Sequence, residues 1–284
     1  MIIREKHRSI SPLTNGNSDA NPKFSPNGSS IAFIRTDSTG INQIWLLQMS
    51  GGEAAMITSL KENVRDFSWK PDSSGFAAVS DVNPDYADGN EHDETNVVSI
   101  TRIRYRHDEL RWRGDSGTQI FDVDISTRES EQLTSDDGDQ GIPSWSPDGS
   151  KLAFISDAMP DRDFHAENEV RVLELSSGKI ASWSKGLADA CSVTWLPDGD
   201  SLAVIGSEDL RLHSYYQGSI YILKPDSNPI RITDNNVAPI GGSHPAKTGS
   251  PLIIDPDGTI LFAGQSGAES HIYRAKIGES GQKE

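Results

Sequence analysis

Five times along this chain an aromatic or branched apolar residue is followed by a spacer, a proline, an Asp or Asn and usually a glycine, and then by a short apolar run. The copies are Phe24-Ser25-Pro26-Asn27-Gly28 before Ile31-Ala32-Phe33, Trp69-Lys70-Pro71-Asp72-Ser73 before Phe76-Ala77-Ala78-Val79, and Trp145-Ser146-Pro147-Asp148-Gly149 before Leu152-Ala153-Phe154. Trp195-Leu196-Pro197-Asp198-Gly199 before Leu202-Ala203-Val204 and Ile254-Asp255-Pro256-Asp257-Gly258 before Ile260-Leu261-Phe262 complete the set. Proline presets φ for a turn, Asp or Asn caps its own backbone, and glycine supplies positive φ without steric cost. One strand therefore ends at the aromatic residue and the next begins in the apolar run, so each copy is a β-hairpin.

Two more strands follow in fixed order. A branched aliphatic precedes an aromatic in Ile44-Trp45, Ile120-Phe121, Ile220-Tyr221 and Ile272-Tyr273, with Val170-Arg171 as a weaker version. A closing strand then ends in Ile57-Thr58, Leu133-Thr134 or Ile232-Thr233, and Ile180-Ala181-Ser182-Trp183 stands in that place in the third unit. Four short strands at a period near 45 residues define a propeller blade. The five prolines are spaced by 45, 76, 50 and 59 residues, and the long interval marks an insertion. A β-sandwich has short strands too, but not this four-part pattern in order. Runs such as Leu152-Ala153-Phe154 are apolar on both faces, as in sheets covered on both sides. Phe24, Trp69, Trp145 and Trp195 are accordingly expected in the blade core.

The expectation is an all-β chain: one propeller domain over 1–284, with about five four-stranded blades near 20–60, 64–135, 142–185, 191–234 and 250–276, and an insertion at 81–117. Leu13-Thr14 repeats the closing dipeptide ahead of the first blade, whereas the last unit shows strands near Leu252, Ile260 and Ile272 and no closing dipeptide. The strand near Ile10–Leu13 then either pairs beside His271–Ala275 or stays at an open rim, and the open rim is the expected outcome.

A formal charge of −16 argues against nucleic acid or an anionic membrane surface as the main partner. The single cysteine, Cys191, allows no internal disulfide. It sits at a strand start with no His or Asn pattern around it, as a buried inert thiol would. Met1 to His7 lacks the apolar core of a signal peptide, and no stretch approaches the roughly 18 apolar residues of a membrane span. A cytoplasmic location follows as the expectation.

The repeats resemble the tolB-like, WD-type repeats of the prolyl oligopeptidase family, and the acylaminoacyl-peptidase branch above all. The stretches that carry this run from Ile100 to Asp108, Ile120 to Asp124, Gln132 to Asp139, Pro143 to Gly149 and Ala153 to Asp157. The likeness covers nearly the whole chain, apart from residues 236–250 and the last ten. It implies a seven-bladed propeller ahead of an α/β-hydrolase domain carrying Ser, Asp and His. Such a propeller covers the active site and excludes large folded substrates, so the implied partners are that catalytic domain and peptide substrates. The five units then form either a five-membered ring or part of a seven-bladed one.

The chain departs from that family where the chemistry resides. No Gly-x-Ser-x-Gly nucleophile elbow occurs; Gly264-Gln265-Ser266-Gly267-Ala268 lacks the last glycine and joins two strands of one blade. No catalytic residue is therefore assigned. The dipeptidyl-peptidase branch holds substrate amines with paired propeller glutamates, and the chain has no Glu-Glu pair.

The insertion is the least bland region. Its first part carries Asp85, Asp88, Glu91, Asp93 and Glu94, but misses the spacing of a calcium loop and reads as a solvated loop. Its second part places Arg102, Arg104, Arg106, Arg111 and Arg113, five of 26 basic residues, within twelve positions. Arg102, Arg104 and Arg106 alternate, so on a strand they share one face. Two readings stand: a charged edge strand that deters aggregation, or a substrate or interdomain contact that grips carboxylates with guanidinium forks. Asp136-Asp137-Gly138-Asp139 reads as a blade-to-blade turn. His165, His213, His244 and His271 show no metal-ligand spacing, so neither metal nor cofactor is expected. The functional expectation is a non-catalytic propeller that gates and size-selects substrate for an acylaminoacyl-peptidase-like serine peptidase. The alternative is a free-standing tolB-like interaction module.

Overall fold

Each Pro-Asp-Gly step forms the turn its chemistry dictates. The N–H groups of Gly28, Gly149, Gly199 and Gly258 donate to the carbonyl three residues back at 2.8–3.1 Å. Gly149 sits at φ 72°, and Ser73 holds φ 66° where the other copies have glycine. The Asp148 carboxylate accepts from Ser146 Oγ (2.6 Å) and from the Ser150 N–H (3.0 Å). These bonds, that from Ser146 foremost, hold its carboxyl down at about 2.

The computed structural model describes residues 2–4, 9–16, 18–83, 100, 103, 105–107, 111–112, 116–160, 162–164, 167–209, 218–234, 236–240, 252–276 and 282–283. They form five antiparallel blades, as the repeat requires. Blade one comprises Ala20–Phe24, Ser30–Thr36, Asn42–Gln48 and Ala55–Met56; blade two comprises Val64–Trp69, Gly75–Val82, Gly117–Asp124 and Ser130–Gln132. Blade three comprises Gln140–Trp145, Lys151–Ser156, Glu169–Glu174 and Lys179–Ser182; blade four comprises Asp189–Trp195, Leu202–Ser207, Ser219–Leu223 and Ile230–Arg231. In blade five, Ile260–Ser266 pairs on its inner side with two short pieces, Ala238–Pro239 and Ile253–Ile254, and on its outer side with Glu269–Ala275. The first strands of blades one to four each carry a bulge.

One end departs from the sequence reading and the other follows the open rim it expected. Blade five does have an outer strand: Gln282–Lys283 pairs with Tyr273 and Arg274. The N-terminal strand Ser9–Ser11 pairs with Ile2–Arg4 in a separate hairpin rather than beside His271–Ala275.

One contact closes blades one to four. The N–H of the aliphatic residue in the third strand donates to the hydroxyl of the closing Thr or Ser: Ile44 to Thr58 (2.8 Å), Ile120 to Thr134, Val170 to Ser184 and Ile220 to Thr233 (each 2.9 Å). The residue before that hydroxyl returns its own N–H to the same aliphatic carbonyl at 2.8–2.9 Å. In blades one and two the threonine also donates to a buried glutamine, Gln43 (2.6 Å) and Gln119 (2.8 Å). The Leu/Ile-Thr ending is thus a latch, and Trp183-Ser184 serves as its third-blade form.

Blades stack in chain order. Ala32, Ile34 and Ile44 of blade one meet Phe67, Phe76 and Val123 of blade two. Blades two and three, three and four, and four and five are joined by equivalent clusters. Among the described residues no cluster joins blade five to blade one. The first-strand tryptophan of a blade faces its predecessor: Trp69 Nε1 donates to Lys23 O (3.1 Å) and Trp195 Nε1 to Ser144 O (2.9 Å). Phe24, expected in the core, is instead 61% exposed, because no blade among the described residues packs where its ring would enter.

Trp145 and Trp195 form a controlled pair. They are 8% and 5% exposed, and each lies under a lysine ammonium, at 5.5 Å and 5.7 Å. Only the Trp145 indole N–H lacks an acceptor. Trp195→Phe is therefore expected to cost about 1 kcal/mol more than Trp145→Phe, the worth of one buried hydrogen bond. Equal urea midpoints for the two variants would contradict this.

The turns also predict an acid limit. A carboxyl depressed from 3.8 to about 2, as at Asp148, lends its full stability above its unfolded pKa and loses it as pH falls through its folded one. Stability should hold from neutrality to about pH 4 and drop between there and pH 2. Asp148→Asn, which keeps the acceptor as Asn27 does in blade one, should flatten that drop in acid-unfolding curves.

Candidate interaction face

In an up-and-down blade the connections between strands two and three emerge at the same end as those leading to the next blade. The insertion is rooted at that end, where it leaves Val82 and returns at Gly117. Asp81, near its root, takes the Arg65 guanidinium (Nε to Oδ2, 2.8 Å).

Beside it, the turn from blade two to blade three is held from every side. Gln119 Nε2 donates to the carbonyls of Asp136 (2.9 Å) and Gly138 (3.2 Å), and the Thr118 N–H to Asp139 Oδ1 (2.9 Å). The Asp139 N–H in turn reaches Asp157 Oδ1 (2.6 Å). Gly138 is required, since a Cβ there would stand 2.7 Å from Ala158 Cα.

Two arginines staple the next loop, residues 157–168, onto this turn. Arg162 is buried, with its guanidinium 3.2 Å from Asp137 and 3.7 Å from Asp157. Arg171 binds Asp136 and Glu169, each at 2.5 Å, and donates to Ala158 O (2.8 Å). The staples are missed by a reading that treats Asp136–Asp139 as an ordinary turn. The available signal was two lone arginines within acidic segments. The stapled loop presents Phe164 at 73% exposure, and Ile100 and Ile103 of the insertion are 55% and 59% exposed. Aromatic and aliphatic side chains left in water are the raw material of a protein–protein contact.

Of the arginines singled out by sequence, Arg102, Arg104 and Arg113 lie outside the described residues. Arg106–His107 and Arg111–Trp112 pair as antiparallel strands, with Arg111 opposite His107 and Trp112 opposite Arg106. The acidic part of the insertion lies outside the described residues too.

Burial, aided by Asp189, pushes the Cys191 thiol up to about 12, and its sulfur lies 3.7 Å from Ile205 O. The His271 ring bonds Glu269 (3.0 Å). Gly264–Ser266 ends the second strand of blade five, and Gly267–Ala268 is the hairpin turn into the third. Among the described residues no three His, Cys, Asp or Glu side chains are grouped to hold a metal ion, and no helix is long and apolar enough to cross a membrane.

By fold, then, this is a five-bladed β-propeller with one elaborated loop face. Its structural neighbours are acylaminoacyl peptidases, a prolyl endopeptidase and TolB propellers. The acylaminoacyl peptidase of Pyrococcus horikoshii matches with a TM-score of 0.64 at 17% identity, over 94% of this chain and 38% of that one. A putative TolB from Agrobacterium tumefaciens matches with a TM-score of 0.61 at 15% identity, over 94% of this chain and 80% of that one. Among curated sequences, the uncharacterized peptidase YuxL of Bacillus subtilis is 27% identical over 167 residues, 57% of this chain and 25% of its own length. Dipeptidyl-peptidase 5 of Aspergillus fumigatus is 34% identical over 146 residues, 49% of this chain and 18% of its own length. The chain thus spans a quarter or less of these two relatives, and a relative bearing the dipeptidyl-peptidase name appears despite the missing glutamate pair. No family model matches the sequence.

The staples predict a local effect. Arg162→Ala strips Asp137 and Asp157 of their shared cation and should loosen the 157–168 loop by roughly 1.5–3 kcal/mol, the range for hydrogen bonds to charged groups. Limited proteolysis should then cut within that loop first, whereas cutting unchanged from wild type would show the staple to be dispensable.

Proposed function

We propose that this propeller serves as the non-catalytic, substrate-gating portion of an acylaminoacyl-peptidase-like serine peptidase, working in the cytoplasm. The observation that carries this reading is the fold match to the Pyrococcus horikoshii peptidase over 94% of this chain and 38% of that protein, in a sequence without a nucleophile elbow. The YuxL match supports the peptidase side of the comparison. In this reading the loop face meets an α/β-hydrolase domain. Arg102, Arg104, Arg106, Arg111 and Arg113 supply guanidinium contacts to carboxylates of that domain or of an incoming peptide. The stacked blades act as a rigid lid that admits short peptides and turns away folded chains.

A second reading, a tolB-like propeller acting as a protein-interaction module, is favoured by one observation: the chain accounts for 80% of the putative TolB it resembles.

Titrating the purified chain into an α/β-hydrolase domain from a peptidase relative separates the two. Gating predicts binding, retained turnover of a short acyl-peptide anilide and reduced cleavage of a folded protein. Replacing the five arginines with alanine should weaken that binding at least tenfold, about 1.4 kcal/mol. The chain by itself should turn over no acyl-amino-acid anilide. Absence of binding at every concentration would leave the interaction-module reading.

A further inference from the structure

Blade one and blade five present the two halves of an interface that the fold has already built four times. The forward face of blade four, Ala203, Ile205 and Ile220, packs on Ile260, Phe262 and Tyr273 of blade five. In blade five the residues in those forward positions are Leu261, Ala263 and Ile272. Ile272 is 56% exposed, as is Ile253 beside them on the inner strand. The backward face of blade one, Ile31, Phe33, Trp45 and Leu47, occupies the positions that receive such a face in blades two to five; within the single chain Leu13 lies against it and the Arg35 guanidinium covers the Phe33 and Trp45 rings, so a docking blade must move Arg35 aside. Phe24, exposed at its edge, stands where Trp69, Trp145 and Trp195 enter the preceding blade.

The latch is divided in the same way. Leu13 packs against Ile31, Phe33 and Leu47, just as Ile57, one residue before its latch threonine, packs against blade two. Thr14 precedes the first strand at Ala20 by six residues, the interval from Thr58 to Val64 and from Thr134 to Gln140. The Thr14 hydroxyl donates its proton to Asp19, which leaves its lone pairs to accept an amide. Pro12 falls where Met56 stands in blade one, between ladder-bonded residues. An N–H at that position points away from the partner strand, so proline is tolerated there. Ser11-Pro12-Leu13-Thr14 is therefore a closing strand already seated against blade one. Ile272, the counterpart of Ile44 and Ile220, has no hydroxyl latch among the described residues.

The geometry points to head-to-tail association of this chain with a second copy. Blade one of one copy packs on the open face of blade five of the other, and Leu13-Thr14 of the first closes that blade by accepting the Ile272 N–H. Six residues reach at most about 20 Å, so Thr14 can serve only a blade packed directly on blade one. Among the described residues no cluster brings the chain's own blade five there. The incoming strand displaces Gln282–Lys283, which is only two residues long. The contact is heterologous, so each copy keeps one free half and association can propagate. The net charge of −16 opposes it, and salt promotes it.

Sedimentation velocity over a concentration series of the full chain tests this. Mass should rise with concentration and with added salt. Ile272→Lys, on an exposed site, should weaken self-association at least tenfold while leaving the circular dichroism spectrum unchanged. Leu13→Asp should do the same from the other half. Mixing the two variants should restore a 1:1 dimer through the one intact pair of faces, with the Ile272 amide of the Leu13→Asp partner newly protected from hydrogen exchange. A chain ending at Lys276 should associate more tightly than the full one. A monomer at every concentration, or a mixture of the two variants that stays monomeric with each of them folded, would overturn the inference. So would self-association that neither substitution weakens.

Discussion

A four-stranded blade cannot bury both of its faces by itself, and that constraint governs the whole molecule. Leu152, Ala153 and Phe154 are each fully buried, yet their side chains alternate between opposite faces of one thin sheet. Ala153 is covered by blade four, and Leu152 and Phe154 by blade two. Stability is thus a property of neighbours, as in other repeat architectures. Each blade must also hold its outer strand in place, because a loose edge would splay the face on which the next blade rests. The hydroxyl latch does this with little sequence: one aliphatic residue, one Thr or Ser, and in two blades a glutamine whose amide reaches on to the following connection.

Electrostatics is layered on that scaffold and does not build it. The chain is strongly acidic, yet several partly buried charges among the described residues are paired locally and across a blade boundary. Lys23 Nζ lies 2.7 Å from Asp66 of the next blade, and Lys70 Nζ lies 2.7 Å from Asp122. Arg162 and Arg171 do the same between a loop of blade three and the turn leading into it. Such pairs fix position more than they add stability, since desolvation offsets much of their attraction. Fixing position matters on the loop face, where an exposed Phe164 can serve as an anchor only if its loop is not free to collapse onto the sheet.

The blades were legible in the sequence because their rules are local. Pro-Asp-Gly turns, runs apolar on both faces and the recurring Leu/Ile-Thr ending each act within a few residues, so repetition exposes them. Ile180-Ala181-Ser182-Trp183 could be placed as a closing element by position alone, but the latch itself lies one residue further on, where the Ser184 hydroxyl accepts the Val170 N–H as a threonine would. Phe24 was misplaced because its environment is not local. The residue type matches the other three anchors, but burial depends on whether a blade precedes it. The outer strand at Gln282–Lys283 was missed for a related reason, since two polar residues carry no periodic signal. The loop face was least legible of all: the Arg162 staple joins residues twenty or more apart through a turn that looks ordinary in isolation.

These two kinds of information divide the protein's properties between them. Repeated, short-range rules determine that there are blades and in what order they stack. Unrepeated residues determine what the assembly can meet: the insertion at 81–117, the stapled loop with Phe164, and the unequal ends at Phe24 and Ile272. An interior blade has its faces chosen for it by its neighbours, and the similarity of the four internal clusters shows how narrow that choice is. A terminal blade has one face free of the constraint. Blade one has kept the backward-facing set of Ile31, Phe33 and Leu47, all under a tenth exposed, with Leu13 laid against them. Blade five has kept Leu261, Ala263 and Ile272 with much less cover. Apolar residues retained at positions that no second blade covers among the described residues are residues for which water is the costlier alternative, and they mark the faces on which such a propeller can extend.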